Sequence, residues 1–200
     1  PSNTATIDDL ASATKTMVVP PYSPKPTATS TSSEVLFYED FESEATPEWG
    51  HFENALPVDG KLEVQNGSVA TEPIGDQDWT NYAVTLTMTH YGTDEWRVFI
   101  RAKDENNYME FLCRGSSYLC FWYVVVDGVR QPPSTFYTLE HSKPFQIRLE
   151  ARKNRYLVFF NGQEQEEYLI NDEFDAGYFA FLTSESATLS IESIEVIRLP

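Results

Sequence analysis

The stretch from Glu95 to Val126, EWRVFIRAKDENNYMEFLCRGSSYLCFWYVVV, leaves a chain little freedom. Polar breaks at Asp104–Asn107 and at Arg114–Ser117 divide it into three runs rich in aromatic and β-branched residues. Runs of this length and composition, separated by short polar breaks, predict three consecutive antiparallel strands joined by tight hairpins. A four-residue loop at Asp104–Asn107 sets Arg101 opposite Glu110 and Phe99 opposite Leu112. A second turn centred on Ser116 and Ser117 sets Cys113 opposite Cys120 and Glu110 opposite Tyr123.

Side chains alternate along a strand, and directly opposed residues share a face. One face then collects Val98, Ile100, Ala102, Met109, Phe111, Cys113, Cys120, Trp122, Val124 and Val126, which is a core. The other gathers Arg97, Arg101, Tyr108, Glu110, Arg114 and Tyr123, with Phe99, Leu112 and Phe121 among them. Rings stack on sugar faces, while guanidinium and carboxylate groups hold hydroxyls or carboxylates in fixed geometry. These six polar and aromatic residues are therefore the candidate ligand-binding set. The competing reading is a cross-strand ion pair among packing aromatics, but one Glu cannot neutralise three Arg.

Opposed strand residues lie about 4.5–5.5 Å apart at Cα, within the range a disulfide accepts. Cys113 and Cys120 are either bridged, which implies an oxidising compartment, or two buried thiols.

The remainder of the chain divides at residue 34. Residues 1–34 are dominated by Ser, Thr, Pro and Ala without periodicity. They are expected to form a disordered or extended linker or stalk, since they cannot bury enough apolar surface to offset ordering entropy. Such a tether is expected to join the domain to an upstream domain or a membrane anchor. From residue 35 to 200, short alternating runs recur between turn signals. Among them are VLFYE, KLEVQNGSV with a turn at Asn66-Gly67, YAVTLTMTH, PFQIRLEARKN, and a hairpin tipped by Asn161-Gly162. About ten to thirteen strands and no helix predict an all-β, two-sheet antiparallel sandwich.

The order of the pieces adds to this. FYEDFES with Trp49, GKLEV, DWTNYAVTLTMT, VFIRAKDENNYMEFLC, PFQIRLEARKNRYLVFFNGQ and DAGYFAFLTSESATLSIESIEVIRL together resemble the concanavalin A-like jelly-roll domains. The likeness is strongest to the laminin-G-like branch related to 3-keto-disaccharide hydrolase domains and family 66 carbohydrate-binding modules, and it covers residues 35–199. It rests on Ile100-Arg101 with Tyr108, Asp40-Phe41, Phe160-Asn161-Gly162 and the strand from Gly177 to Phe181. It implies a jelly-roll sandwich that binds glycan on its concave sheet. The closing strand departs from the pattern: Ile191-Glu192-Ser193-Ile194 stands where the family often has an aspartate, which weakens any carry-over of a metal site.

Chemistry is narrowed by what is missing. The sandwich-fold glucanases carry an E-x-D-x-x-E run, and none is present. Hydrolysis of a glycoside needs two carboxylates flanking the bond; Glu110 has no second carboxylate on its expected face. The three His lack metal-ligand spacing, and no nucleophile-elbow, zinc or phosphate-loop motif occurs. A formal charge of −17, from 14 Lys and Arg against 31 Asp and Glu, argues against nucleic acid and anionic membranes. No run approaches the roughly 18 apolar residues of a transmembrane helix. No cofactor is expected, apart from a structural calcium on Asp40, or on Asp172, Glu173 and Asp175 in the acidic loop NDEFDAG.

The expected function is a non-catalytic carbohydrate-binding module of a secreted or surface-tethered protein, extracellular and of bacterial-envelope type. The alternatives are a glycoside hydrolase of the 3-keto-disaccharide type and a structural or adhesion module with a protein partner.

Overall fold

The computed structural model describes residues 33–43, 49–117, 119–133, 136–138, 143–165 and 169–200. The linker expected over 1–34 lies outside these, apart from its last two residues. Glu34 already belongs to the fold: its carbonyl accepts from the Arg198 N–H, and its carboxylate receives the Arg198 side chain at 2.7 Å.

The described residues form strands and no helix. In chain order these are β1 (Val35–Glu39), β2 (Gly50–Val58), β3 (Lys61–Thr71), β4 (Tyr82–His90) and β5 (Glu95–Asp104). Then come β6 (Asn107–Arg114), β7 (Leu119–Val126), β8 (Val129–Arg130), β9 (Phe136–Thr138) and β10 (Phe145–Arg152). The series closes with β11 (Arg155–Phe160), β12 (Gln163–Glu164), β13 (Leu169–Ile170), β14 (Tyr178–Thr183) and β15 (Ala187–Arg198). All pairings are antiparallel, and they run β12-β11-β10-β4-β15-β3-β14-β5-β6-β7-β8, with β1, β2, β9 and β13 attached at the sides. The result is the two-sheet jelly roll that the sequence predicts. Hydrogen bonding continues from one sheet into the other because β3 pairs with β15 over most of its length and meets β14 at Ala70.

The core lies between the sheets. β4, β10, β11 and β15 turn Leu86, Met88, Ile147, Leu149, Val158, Ile191 and Ile194 inward, all fully buried. β5, β6 and β7 answer with Trp96, Val98, Met109, Phe111 and Trp122. Ring contacts cross the interface, Trp96 stacking on Phe145 at 6.3 Å and Trp122 tilting onto Tyr156 at 5.6 Å. The Cys113–Cys120 bridge is present, and both cysteines are buried. It pins β6 to β7 at the register the sequence predicts, with Glu110 opposite Tyr123.

Turn chemistry fixes the hairpins. Asp59-Gly60, Asp127-Gly128 and Asn161-Gly162 each place two successive residues at positive φ, the geometry of the two-residue turn whose twist matches that of paired strands. One expectation needs correction. Asn66-Gly67 makes a bulge within a continuous β3, with Asn66 at φ 48° and its carbonyl accepting from the Asn54 side chain. β4 is buried on both faces: Thr85, Thr87 and Thr89 on its outer side lie between β10 and β15 and are almost inaccessible.

Candidate functional site

The site is the outer face of β5, β6 and β7, extended by β8. Its register departs from expectation in one place, and the consequence is large. The hairpin end of β5 and β6 is tight: Asp104 pairs with Asn107, and the Asp104 carboxylate accepts from the Asn106 N–H at 2.8 Å and from the Asn107 amide. Beyond it, β5 bulges. Three residues, Arg101 to Lys103, oppose the single Tyr108 before Ile100 pairs with Met109. Phe99, not Arg101, therefore stands opposite Glu110, and Arg97 opposite Leu112. A slip of two residues keeps the alternation of faces, so Arg97 and Phe99 stay outside.

Arg101 does not stay outside. At φ 52° it turns inward beside Ile100, two consecutive residues facing the core as a bulge permits, and it is fully buried. Its guanidinium donates to the Thr80 carbonyl through Nε and Nη2 at 3.0 and 2.7 Å. It also donates to the Phe174 carbonyl at 2.9 Å, the Tyr156 hydroxyl at 3.1 Å and the Lys153 carbonyl. The Arg101 N–H donates to the Tyr82 hydroxyl at 2.7 Å. Burial pushes the Tyr82 and Tyr156 phenols up, so both stay protonated as neutral partners of the cation. Gly177 seats the bulge: its φ is 145°, and a Cβ there would meet the Ala102 carbonyl oxygen at 2.5 Å and the Arg101 carbonyl carbon at 2.6 Å. Taking a cation out of water costs several kcal/mol, and charge-assisted hydrogen bonds of about 1.5–3 kcal/mol each offset it. Arg101 thus ties together three loops at one end of the sandwich. It is removed from the ligand-binding set.

The other five candidates do share the outer face, and two further residues complete it. Glu95 receives Arg97 at 3.0 Å and Arg114 at 2.9 Å. Glu110 receives Arg130 at 2.7 Å and Arg97 at 3.5 Å. The charges therefore alternate across the sheet as Arg114, Glu95, Arg97, Glu110, Arg130. Rings are interleaved: Phe99 meets Tyr108 edge-on at 4.9 Å, Arg114 lies over Phe121 at 5.8 Å, and Arg130 covers Tyr123 at 4.7 Å. Glu110 is fully buried beneath this layer; burial pushes its carboxyl up, and Arg130 and Arg97 partly offset that.

Both missed residues left a signal in the sequence. Glu95 lies two positions before Arg97 on one strand, hence on the same face. Arg130 follows the Asp127-Gly128 turn, which sets Val126 opposite Val129 and Val125 opposite Arg130. With Glu95 in place, Glu110 has the second carboxylate on its face that the sequence reading denied it. Arg97 sits between them, in contact with both.

Two of the calcium candidates share a hollow. Asp172 and Asp175 line an open hollow of about 520 Å³ with Asn81, Asn154, Asn171 and Lys153. Asp40 is not among its lining residues; it follows β1 and accepts from the Glu42 N–H. Among the described residues, no group of three His, Cys, Asp or Glu could hold a metal ion. No described helix is long and apolar enough to cross a membrane.

No protein-family model and no curated protein matches this chain. Solved structures do, at low identity. A family 66 carbohydrate-binding module from Bacillus subtilis aligns at TM-score 0.57 and 12% identity, over 80% of this chain and 94% of that one. SCLam, a non-specific endo-β-1,3(4)-glucanase of family GH16, aligns at TM-score 0.65 and 11% identity, over 87% and 94%. A Bacillus subtilis protein of unknown function with a galectin-like fold aligns at TM-score 0.63 and 11% identity, over 82% and 96%. The chain has the concanavalin A-like jelly-roll fold, the architecture of carbohydrate-binding modules, lectins and glucanases.

Proposed function

We infer that this domain is a non-catalytic glycan-binding module and that the sugar lies on the outer face of β5, β6, β7 and β8. One observation carries the reading: rings at Phe99, Tyr108 and Phe121 alternate there with guanidinium groups held in place by two carboxylates. Rings offer stacking area, and preset arginines offer hydrogen bonds at a reduced ordering cost. The carbohydrate descriptions borne by structures of the same fold support it. Hydrolysis is the weaker reading, because Glu110 is inaccessible and engaged by two arginines, whereas a general acid must reach the leaving oxygen. A secreted or cell-surface setting of bacterial-envelope type belongs to the same proposal and is supported by the disulfide. So does a structural calcium on Asp172 and Asp175, for which a melting temperature lowered by chelator and restored by calcium is the supporting result.

A glycan array on the full chain tests the reading, with titration of the best binder against Tyr108→Ala and Phe121→Ala. Each variant is expected to weaken binding by about 1–3 kcal/mol. Binding to protein partners but to no glycan would favour the adhesion reading, and release of shorter sugars would favour the hydrolase.

A further inference from the structure

Resting on the glycan reading, we propose that the ligand carries an anionic group, a sugar carboxylate or sulfate, and that Arg97, Arg114 and Arg130 receive it. Among the described residues, three guanidinium groups share two carboxylates on this face, which leaves one positive charge unmatched. Accessibility sharpens the imbalance. The arginine side chains are 31%, 42% and 36% exposed for Arg97, Arg114 and Arg130, whereas Glu110 is 0% exposed and Glu95 33%. An approaching ligand meets three guanidinium groups and a single accessible carboxylate, Glu95. The Glu110 oxygens are engaged by Arg97 and Arg130, those of Glu95 by Arg97 and Arg114.

A neutral sugar hydroxyl donates as well as accepts, so a site built for it needs accessible acceptors beside its donors. This face is rich in donors and poor in open acceptors. It suits a group that only accepts, and the planar guanidinium fork matches a two-oxygen anion in bidentate contact. The setting adds selectivity. The chain carries a net charge of −17, so a polyanion that runs on past the arginines comes within the Debye length of about 8 Å of acidic surface and is repelled there at physiological salt. The arginines act at contact range, which favours an acidic residue presented at a chain end or within a short oligosaccharide.

The test uses the full chain and four oligosaccharides of matched length: neutral, uronate-bearing, sulfated, and the uronate compound after its carboxyls are reduced to alcohols. The uronate or the sulfated compound is expected to bind, and reduction of the uronate is expected to weaken binding by about tenfold or more, as for loss of charge-assisted hydrogen bonds. Arg114→Gln should weaken the anionic ligand about five- to tenfold and the neutral one by less than about twofold, whereas Arg148→Gln on the opposite sheet should leave both unchanged. Preference for the sulfated compound or for the uronate supports the proposal and identifies the anion. Equal binding of the neutral, acidic and reduced compounds, weakened alike by Phe121→Ala, overturns the anionic ligand and leaves the glycan face standing. Failure of all four to bind overturns both. The reduced oligosaccharide keeps the test independent of how any variant folds.

Discussion

Arg97 and Arg101 lie four residues apart on one strand, and simple alternation would give them the same surroundings. They have opposite ones. Arg97 stands on the outer face, shared between Glu95 and Glu110 and partly exposed to solvent. Arg101 lies inside, fully buried, its donors committed to backbone carbonyls and a tyrosine hydroxyl. The difference is made by a bulge that absorbs two residues of β5. A residue type therefore says little about role until the register on both sides of it is known. One of these arginines holds the fold and the other serves the surface.

The largest effect expected from this contrast is on stability. Arg101→Met removes donors from the Thr80, Lys153 and Phe174 carbonyls, and denaturant unfolding should show a loss of about 3–5 kcal/mol. Arg97→Met should cost far less, about 1 kcal/mol or under, as for partly exposed ion pairs. Equal losses at the two positions would dissolve the comparison.

A smaller effect concerns pH. The folded-state pKa of Glu110 lies above its unfolded value because burial outweighs the neighbouring arginines. The folded protein then takes up this proton first, so the group's contribution to stability grows as pH falls through the folded-state pKa and is lost as pH rises through it. The window starts at the usual glutamate value and extends above it. Glu110→Gln, which keeps the carboxyl shape without the charge, should flatten the stability profile across that window. An unchanged profile would mean that Glu110 titrates alike in both states.

Much of this was legible in the residues. The three-strand meander, the Cys113–Cys120 pairing and the Glu110–Tyr123 register follow from turn signals and alternation, and all are present. So is the hairpin at Asn161-Gly162, where a two-residue turn needs positive φ and the sequence supplies residues that tolerate it. The bulges were not legible. Arg101 and Asn66 both occupy left-handed backbone, and what stabilises them comes from distant segments: Tyr82, Gly177 and the three carbonyls in one case, Asn54 in the other. A local pattern cannot report on partners that lie from 12 to more than 70 residues away. Where the strands are regular, as at Arg97, Glu110 and Arg114, placement by alternation succeeded.

The central claim is that glycan meets the outer arginines and leaves the inner one untouched. NMR of the arginine side-chain Nε–H groups, followed while the best-binding oligosaccharide is added, addresses it directly. The Arg97, Arg114 and Arg130 signals should shift with the titration, while those of Arg101 and of Arg148 and Arg152 on the opposite sheet stay in place. Shifts at Arg148 and Arg152 with none at Arg97, Arg114 and Arg130 would contradict the account and move the binding face to the other sheet.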